Sequence, residues 1–92
     1  MNLNEYSVSK NGVTLELTAK EFEILKILLQ HPKRVYTKEQ LYSLVWNEAY
    51  LGDENAVNVH ISRLRNKIED NPRSPKYIIT VWGIGYKLGG MS

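Results

Sequence analysis

The 92-residue sequence contains no cysteine, which excludes a disulfide framework and a thiolate metal site and fits a reducing compartment. It also has no run near the roughly 20 apolar residues that a membrane-spanning helix requires. The first ten residues, MNLNEYSVSK, lack the basic start and apolar middle of a signal peptide. We therefore expect a cytoplasmic chain that forms a single domain over residues 1–92 and does not contact a membrane.

Signals for catalysis and cofactor binding are equally scarce. The two histidines, His31 and His60, are far apart in the sequence, and no carboxylate stands at metal-ligand spacing beside them. The segment GIGY is too short for a dinucleotide-binding fingerprint, which needs G-x-G-x-x-G at the start of a helix. We therefore expect no enzyme activity, no metal site and no cofactor.

Charge is unevenly distributed along the chain. The net charge is only +2, but residues 1–59 carry six Lys/Arg against eight Asp/Glu, whereas residues 60–92 carry six against two. An anionic partner is therefore expected at the C-terminal third.

The apolar pattern predicts an α+β fold in the order hairpin, three helices, hairpin. Residues 1–17 read as an N-terminal β-hairpin or sheet around Asn11-Gly12, a dipeptide that favours a type I′ turn. Residues 18–70 form the three-helix core, with "RVYT" as a short extended piece between its first two helices. Residues 76–89 form a second hairpin whose turn lies near Gly83 and Gly85. The alternating apolar positions of the first hairpin are Tyr6, Val8, Val13, Leu15 and Leu17.

Capping boxes mark the start of the first two helices. Thr18 with Glu21, and Thr37 with Gln40, each place a hydroxyl and a carboxamide or carboxylate where they can bind the first backbone N–H groups. Pro32 ends the first helix. The positions predicted to face the core are Phe22, Leu25, Ile27, Leu28 and Leu29 in the first helix, and Leu41, Leu44 and Val45 in the second.

The third helix, from about 54 to 69, has two contrasting faces when residues are placed at about 100° intervals. Val57, Ile61, Leu64 and Ile68 form a core stripe. Val59 lies near the centre of the opposite side, among polar residues. That side carries Asn55, Ser62, Arg63 and Asn66, with His60 and Lys67 on one flank and Asn58 and Arg65 on the other.

The polar side of this helix has two interpretations. It is either a solvated face with one exposed valine, which is common, or a surface that enters the major groove of DNA. In the groove, Asn, Ser and Arg can bind base edges, and a small aliphatic side chain can contact the methyl group of thymine. The final hairpin is likewise either an ordinary sheet-closing hairpin or the wing of a winged-helix domain.

Four segments together resemble the C-terminal effector domain of OmpR/PhoB-type response regulators, which are bacterial two-component regulators of transcription. They are LTAKEFEILKILLQHP, RVYTKEQLYSLVW, AVNVHISRLRNKI and SPKYIITVWGIGYKL, and they span 17–88 in the family's order and spacing. The resemblance implies a winged helix-turn-helix with an N-terminal antiparallel β-sheet. It further implies double-stranded DNA binding, with the third helix in the major groove and the wing at the minor groove.

The resemblance also assigns roles to individual residues. Base-reading candidates are Asn55, Asn58, Val59, Ser62 and Arg63. Candidates for contact with the DNA backbone are Thr37, Lys38, His60, Arg65, Lys67, Thr80, Tyr86 and Lys87. In several family members the loop between the second and third helices contacts RNA polymerase, and here its candidates are Asn47, Glu48, Tyr50 and Asp53.

Further partners follow from the same resemblance. Two copies are expected to associate on tandem direct repeats of DNA, while the isolated chain stays monomeric. The family normally carries an N-terminal receiver domain with a phosphorylatable aspartate, which nothing in this sequence supplies. We therefore expect an excised effector domain rather than a stand-alone regulator.

Two positions depart from the family pattern. Trp82 stands where the wing motif T-V-R-G-x-G-Y has arginine, so that either Trp82 packs against sugars or Lys87 supplies the charge. Asn55 replaces a frequent arginine. A winged helix used for protein–protein contact is the main alternative, favoured by the low net charge and Trp82 but opposed by the polar outward face of the third helix. RNA binding is a third option, although single-strand modules usually present aromatic residues on a sheet.

Overall fold

The predicted order of elements is confirmed. A computed structural model of the chain describes residues 2–4, 6–10, 12–47 and 54–89. The helices are α1 (Ala19–Gln30), α2 (Lys38–Trp46) and α3 (Glu54–Ile68). The strands are β1 (Asn2–Asn4), β2 (Ser7–Lys10), β3 (Val13–Glu16), β4 (Tyr36–Thr37), β5 (Ile78–Val81) and β6 (Gly85–Leu88).

The strands form two antiparallel sheets. The first has the order β1-β2-β3, and the second has the order β4-β6-β5, so that the short strand between α1 and α2 pairs with the final hairpin. In the first hairpin Ser7 pairs with Glu16 and Lys10 with Val13. Gly12 has a φ of 79°, but Asn11 lies outside the described residues, so the type I′ turn stays a prediction.

The capping boxes at the starts of α1 and α2 are both present. The Thr18 hydroxyl accepts a bond from the backbone N–H of Glu21 at 3.3 Å, and the Glu21 carboxylate accepts from the N–H of Thr18 at 2.9 Å. Thr37 and Gln40 make the same reciprocal pair at 3.0 and 2.9 Å. These bonds satisfy N–H groups that the first turn leaves without helical partners.

The core stripe of α3 is confirmed, since Val57, Ile61, Leu64 and Ile68 are at most 1% exposed. They pack in one apolar cluster with residues of α1, α2 and both sheets. Ile24, which was not among the predicted core positions, is fully buried.

One predicted core position is wrong, and two of the alternating apolar positions of the first hairpin are exposed. Leu44 is 55% exposed, because α2 is short and buries only the narrow stripe of Leu41 and Val45, one turn apart. Val13 is 57% exposed beside the first hairpin turn, and Tyr6 is 55% exposed. Tyr6 has a φ of 55° and lies between β1 and β2 rather than within a strand.

The final hairpin is fixed to the core by close backbone contacts. The buried carboxylate of Glu69 accepts hydrogen bonds from the backbone N–H groups of Lys76, Tyr77 and Ile78 at 2.8–3.1 Å. The turn is Trp82–Ile84, with Gly83 at a φ of 78°. Gly85 lies in β6 rather than in the turn, and a Cβ there would come within 1.9 Å of the Tyr36 carbonyl oxygen.

Candidate nucleic-acid interface

The face of α3 opposite its core stripe is open to solvent. Asn55, Ser62, Arg63 and Asn66 are exposed, and Val59 is 42% exposed at the centre of this face. Arg63 makes no hydrogen bond to another described residue. The helical-wheel placement of Val59 away from the core is therefore confirmed, and the polar groups around it are available to a partner.

A groove of about 700 Å³ lies beside this face, between α3, the start of α2 and the final hairpin. Its walls bring together residues from distant parts of the sequence. They include Thr37, Lys38, Asn58, Arg65, Thr80, Trp82 and Tyr86. Six backbone-contact or base-reading candidates and the uncertain Trp82 therefore share one concave surface.

Arg65 ties α3 to the hairpin within this groove. Its guanidinium donates hydrogen bonds to the carbonyl oxygen of Ile78 at 2.8 Å and to the Thr80 hydroxyl at 2.8 Å, and it lies 5.5 Å from the centre of the Tyr86 ring. The hydroxyl of Tyr86 donates to Oδ1 of Asn58 at 2.8 Å. Burial raises the pKa of Tyr86, and the charge of Arg65 opposes part of that rise.

Two other backbone-contact candidates are engaged on the opposite flank of α3. Nδ1 of His60 lies 2.7 Å from the carbonyl oxygen of Ala56, and its ring meets Trp46 edge-on at 5.1 Å. The ammonium of Lys67 contacts the buried Glu21 carboxylate at 2.5 Å. Both side chains therefore have structural contacts within the chain.

The tip of the hairpin is its most exposed apolar part. Trp82 is 89% exposed and Ile84 is 57% exposed, on either side of Gly83. The sequence reasoning missed Ile84, because a single apolar residue in a turn belongs to no periodic pattern. Lys87 lies farther along β6 and is half-buried.

The candidates for a polymerase-contacting loop lie mostly outside the described residues, and their role stays a prediction. Asn47 is exposed and caps α2 in the left-handed conformation, with a φ of 58°. Glu48, Tyr50 and Asp53 lie outside the described residues. Within the described ranges, no group of three or more His, Cys, Asp or Glu could hold a metal ion, and no helix is long and apolar enough to cross a membrane.

Comparison with known proteins identifies clear relatives of this arrangement. A family model described as "Transcriptional regulatory protein, C terminal" matches residues 12–88. The uncharacterized transcriptional regulatory protein YcbL of Bacillus subtilis is 55% identical over 89 residues, which are 97% of this chain and 39% of that protein. The chain thus spans about two fifths of the length of the curated relatives that it matches first.

Two solved structures have a closely similar fold. The DNA-binding domain of Klebsiella pneumoniae RstA, in complex with the RstA box, superposes with a TM-score of 0.82 and 31% identity, over 90% of this chain and 82% of that one. The response regulator DrrB of Thermotoga maritima, an OmpR/PhoB homolog, gives a TM-score of 0.78 and 39% identity, over 86% of this chain and 36% of that one.

Proposed function

This chain belongs to the family of C-terminal domains of transcriptional regulatory proteins, the winged-helix DNA-binding output domains of OmpR/PhoB-type response regulators, and from that premise we propose how it holds DNA. The family consists of sequence-specific DNA-binding regulators and is not a family of enzymes. In the proposed complex α3 lies in the major groove, and the hairpin of β5 and β6 lies as a wing at the adjacent minor groove.

The observation that carries this proposal is the division of α3 into two faces. One face is buried in the core, and the other presents Asn55, Val59, Ser62 and Arg63 to solvent. These side chains offer donors, acceptors and one aliphatic surface, which suit the mixed pattern of a major-groove edge. We assign base reading to them and to Asn58 at the edge of the groove.

Fewer side chains are available to contact phosphates than the sequence suggested. Arg65 and Lys67 direct their charged groups to Thr80 and Glu21 within the chain. Lys38 at the start of α2 and Lys87 on the wing therefore take the larger share of the backbone contacts, with Thr37 beside the first N–H groups of α2. The electrostatic part of the affinity should be modest for an isolated domain.

The remaining partners are proposed for the protein to which this segment belongs. Two copies would bind tandem direct repeats about one helical turn apart and associate only on DNA. The segment from Asn47 to Asp53 would contact RNA polymerase, and an N-terminal receiver domain would control both steps in the cytoplasm.

Selection of bound sites from random duplex DNA tests the proposal. We expect an enriched site with repeated half-sites and an affinity that falls as the salt concentration rises from roughly 50 to 200 mM. Equal affinity for selected and scrambled duplexes would contradict it.

A protein-binding winged helix is the second candidate. The exposed Trp82 and Ile84 at the wing tip favour it, because aromatic side chains are enriched at protein interfaces. A salt-independent interaction with no enriched DNA site would support this candidate.

A further inference from the structure

Asn58 differs from the other base-reading candidates in having its side chain held by the wing. Its Oδ1 accepts the hydrogen bond from the Tyr86 hydroxyl at 2.8 Å. Tyr86 is 6% exposed and belongs to β6, where it pairs with Tyr36 on one side and Thr80 on the other. The phenol is thus positioned by the sheet and not by the helix that carries Asn58.

Other contacts hold the phenol ring in place. The guanidinium of Arg65 lies over the ring and is itself bound to Ile78 and Thr80. Burial raises the pKa of Tyr86, so the hydroxyl keeps its proton at neutral pH. It therefore remains available as a donor to the Asn58 oxygen.

This contact changes what Asn58 can recognise. An asparagine amide has one acceptor oxygen with two lone pairs, and it has two N–H donors. The usual bidentate pairing with adenine uses the oxygen to accept from N6 and the nitrogen to donate to N7. Because the Tyr86 hydroxyl binds one lone pair and holds the oxygen toward the wing, the amide N–H groups are the ones left to bind DNA.

We propose that Tyr86 is a positioning residue that makes Asn58 a donor toward the major groove, so that Asn58 prefers guanine to adenine. Guanine presents two adjacent acceptors, O6 and N7, whereas adenine presents one acceptor, N7, beside the N6 donor. Thymine presents O4 alone, and cytosine presents only a donor. The inference rests on the proposed function, because it needs α3 to lie in the major groove.

The first experiment identifies the base that faces Asn58. Sites are selected from random duplex DNA with the native protein and with Asn58→Ala, and the base preference is compared at each position. We expect one position to lose its preference in the variant, and that position to carry guanine in the native selection. Any other base there, or no position that depends on Asn58, would overturn the inference.

The second experiment removes only the hydroxyl. In Tyr86→Phe the ring remains to pack against Arg65, and thermal unfolding reports whether the fold is intact. Releasing the Asn58 oxygen should raise the affinity for adenine relative to the native base by about three- to tenfold, the worth of one hydrogen bond. Tyr77→Phe, whose ring packs near Lys10 outside the groove, is the matched control and should leave base preference unchanged.

The outcomes separate the inference from the proposed function. If the native protein binds selected and scrambled duplexes equally, that result refutes the proposal that the chain reads DNA sequence. If the native protein selects its site and Tyr86→Phe has the same base preference, that result refutes only the positioning role of Tyr86.

Discussion

The ammonium of Lys67 on α3 lies 2.5 Å from Oε1 of Glu21 in the first turn of α1. Glu21 is 1% exposed, and its carboxylate also accepts the backbone N–H of Thr18. Burial by itself raises the pKa of Glu21, but the hydrogen bonds from Lys67 and Thr18 outweigh it and leave the pKa below its ordinary value of 4.5. The ion pair between Lys67 and Glu21 therefore stabilises the folded protein when Glu21 is ionised.

The pH dependence of stability follows from this ion pair. A carboxylate whose pKa is lowered by folding stabilises the folded state fully above its unfolded pKa, and the contribution is lost as the pH falls through the folded pKa. Glu21→Gln keeps the capping oxygen but removes the charge, so it should cost about 1–3 kcal/mol at pH 7. When urea unfolding is measured from pH 7 to below 4.5, the free energy of unfolding should fall less with decreasing pH for the variant than for the native protein. Parallel curves for both proteins would contradict the assignment.

The close approach of Gly85 to Tyr36 predicts a large effect of one added methyl group. In Gly85→Ala the Cβ meets the Tyr36 carbonyl oxygen, so β4 and β6 must separate, at a cost of about 1–3 kcal/mol or more. Gly83→Ala is the control, because nothing lies within 4 Å of its Cβ and only the positive φ is strained, at about 1 kcal/mol. Thermal unfolding compares the two, and an equal or smaller loss for Gly85→Ala would argue against the packing described.

The wing tip should respond to a change of charge. Trp82→Arg introduces the arginine of the wing motif T-V-R-G-x-G-Y and places a cation where we propose that the wing meets DNA. It should raise the affinity for DNA. It should also steepen the slope of log K against log salt by about one, the change expected for one added phosphate contact. Thr14→Arg, exposed on the N-terminal sheet, adds the same charge away from the site. Identical salt slopes for the two variants would show that the wing does not reach DNA.

Arg63 should contribute to sequence preference as well as affinity. Arg63→Ala is expected to cost about 1–3 kcal/mol on the selected site and to relax selectivity at one position. Lys26→Ala, which removes one exposed charge from α1, controls for net charge. An equal loss on selected and random DNA would instead make Arg63 a phosphate contact.

The exposed Val59 should contact a thymine methyl group. Val59→Ala is expected to weaken binding mainly to sites with thymine at one position, and replacing that thymine with uracil should weaken the native protein in the same way, because uracil lacks the methyl group. Binding titrations of the native protein and Val59→Ala, each with the thymine duplex and the uracil duplex, form a complete double-mutant cycle. If uracil has no effect on the native protein, Val59 does not read the methyl group.

Local sequence signals were sufficient wherever a structure depends on nearby residues. The capping boxes at Thr18 and Thr37 and the four-residue core stripe of α3 were all predicted correctly, since each involves residues within one or a few helical turns. The resemblance to OmpR/PhoB-type effector domains is confirmed by the family match over residues 12–88. Leu44 shows the limit, because the sequence cannot say how wide a stripe of α2 the neighbouring elements cover.

The sequence by itself determined the elements, the core face of α3 and the family, because periodicity, capping and motif spacing are properties of neighbouring residues. Only the tertiary structure decided which polar groups are already engaged. Arg65 binds Thr80, Lys67 binds Glu21, and Tyr86 binds Asn58, each across 15 to 46 positions of sequence. Such pairs arise when packing brings distant backbones together, and no local pattern encodes their partners.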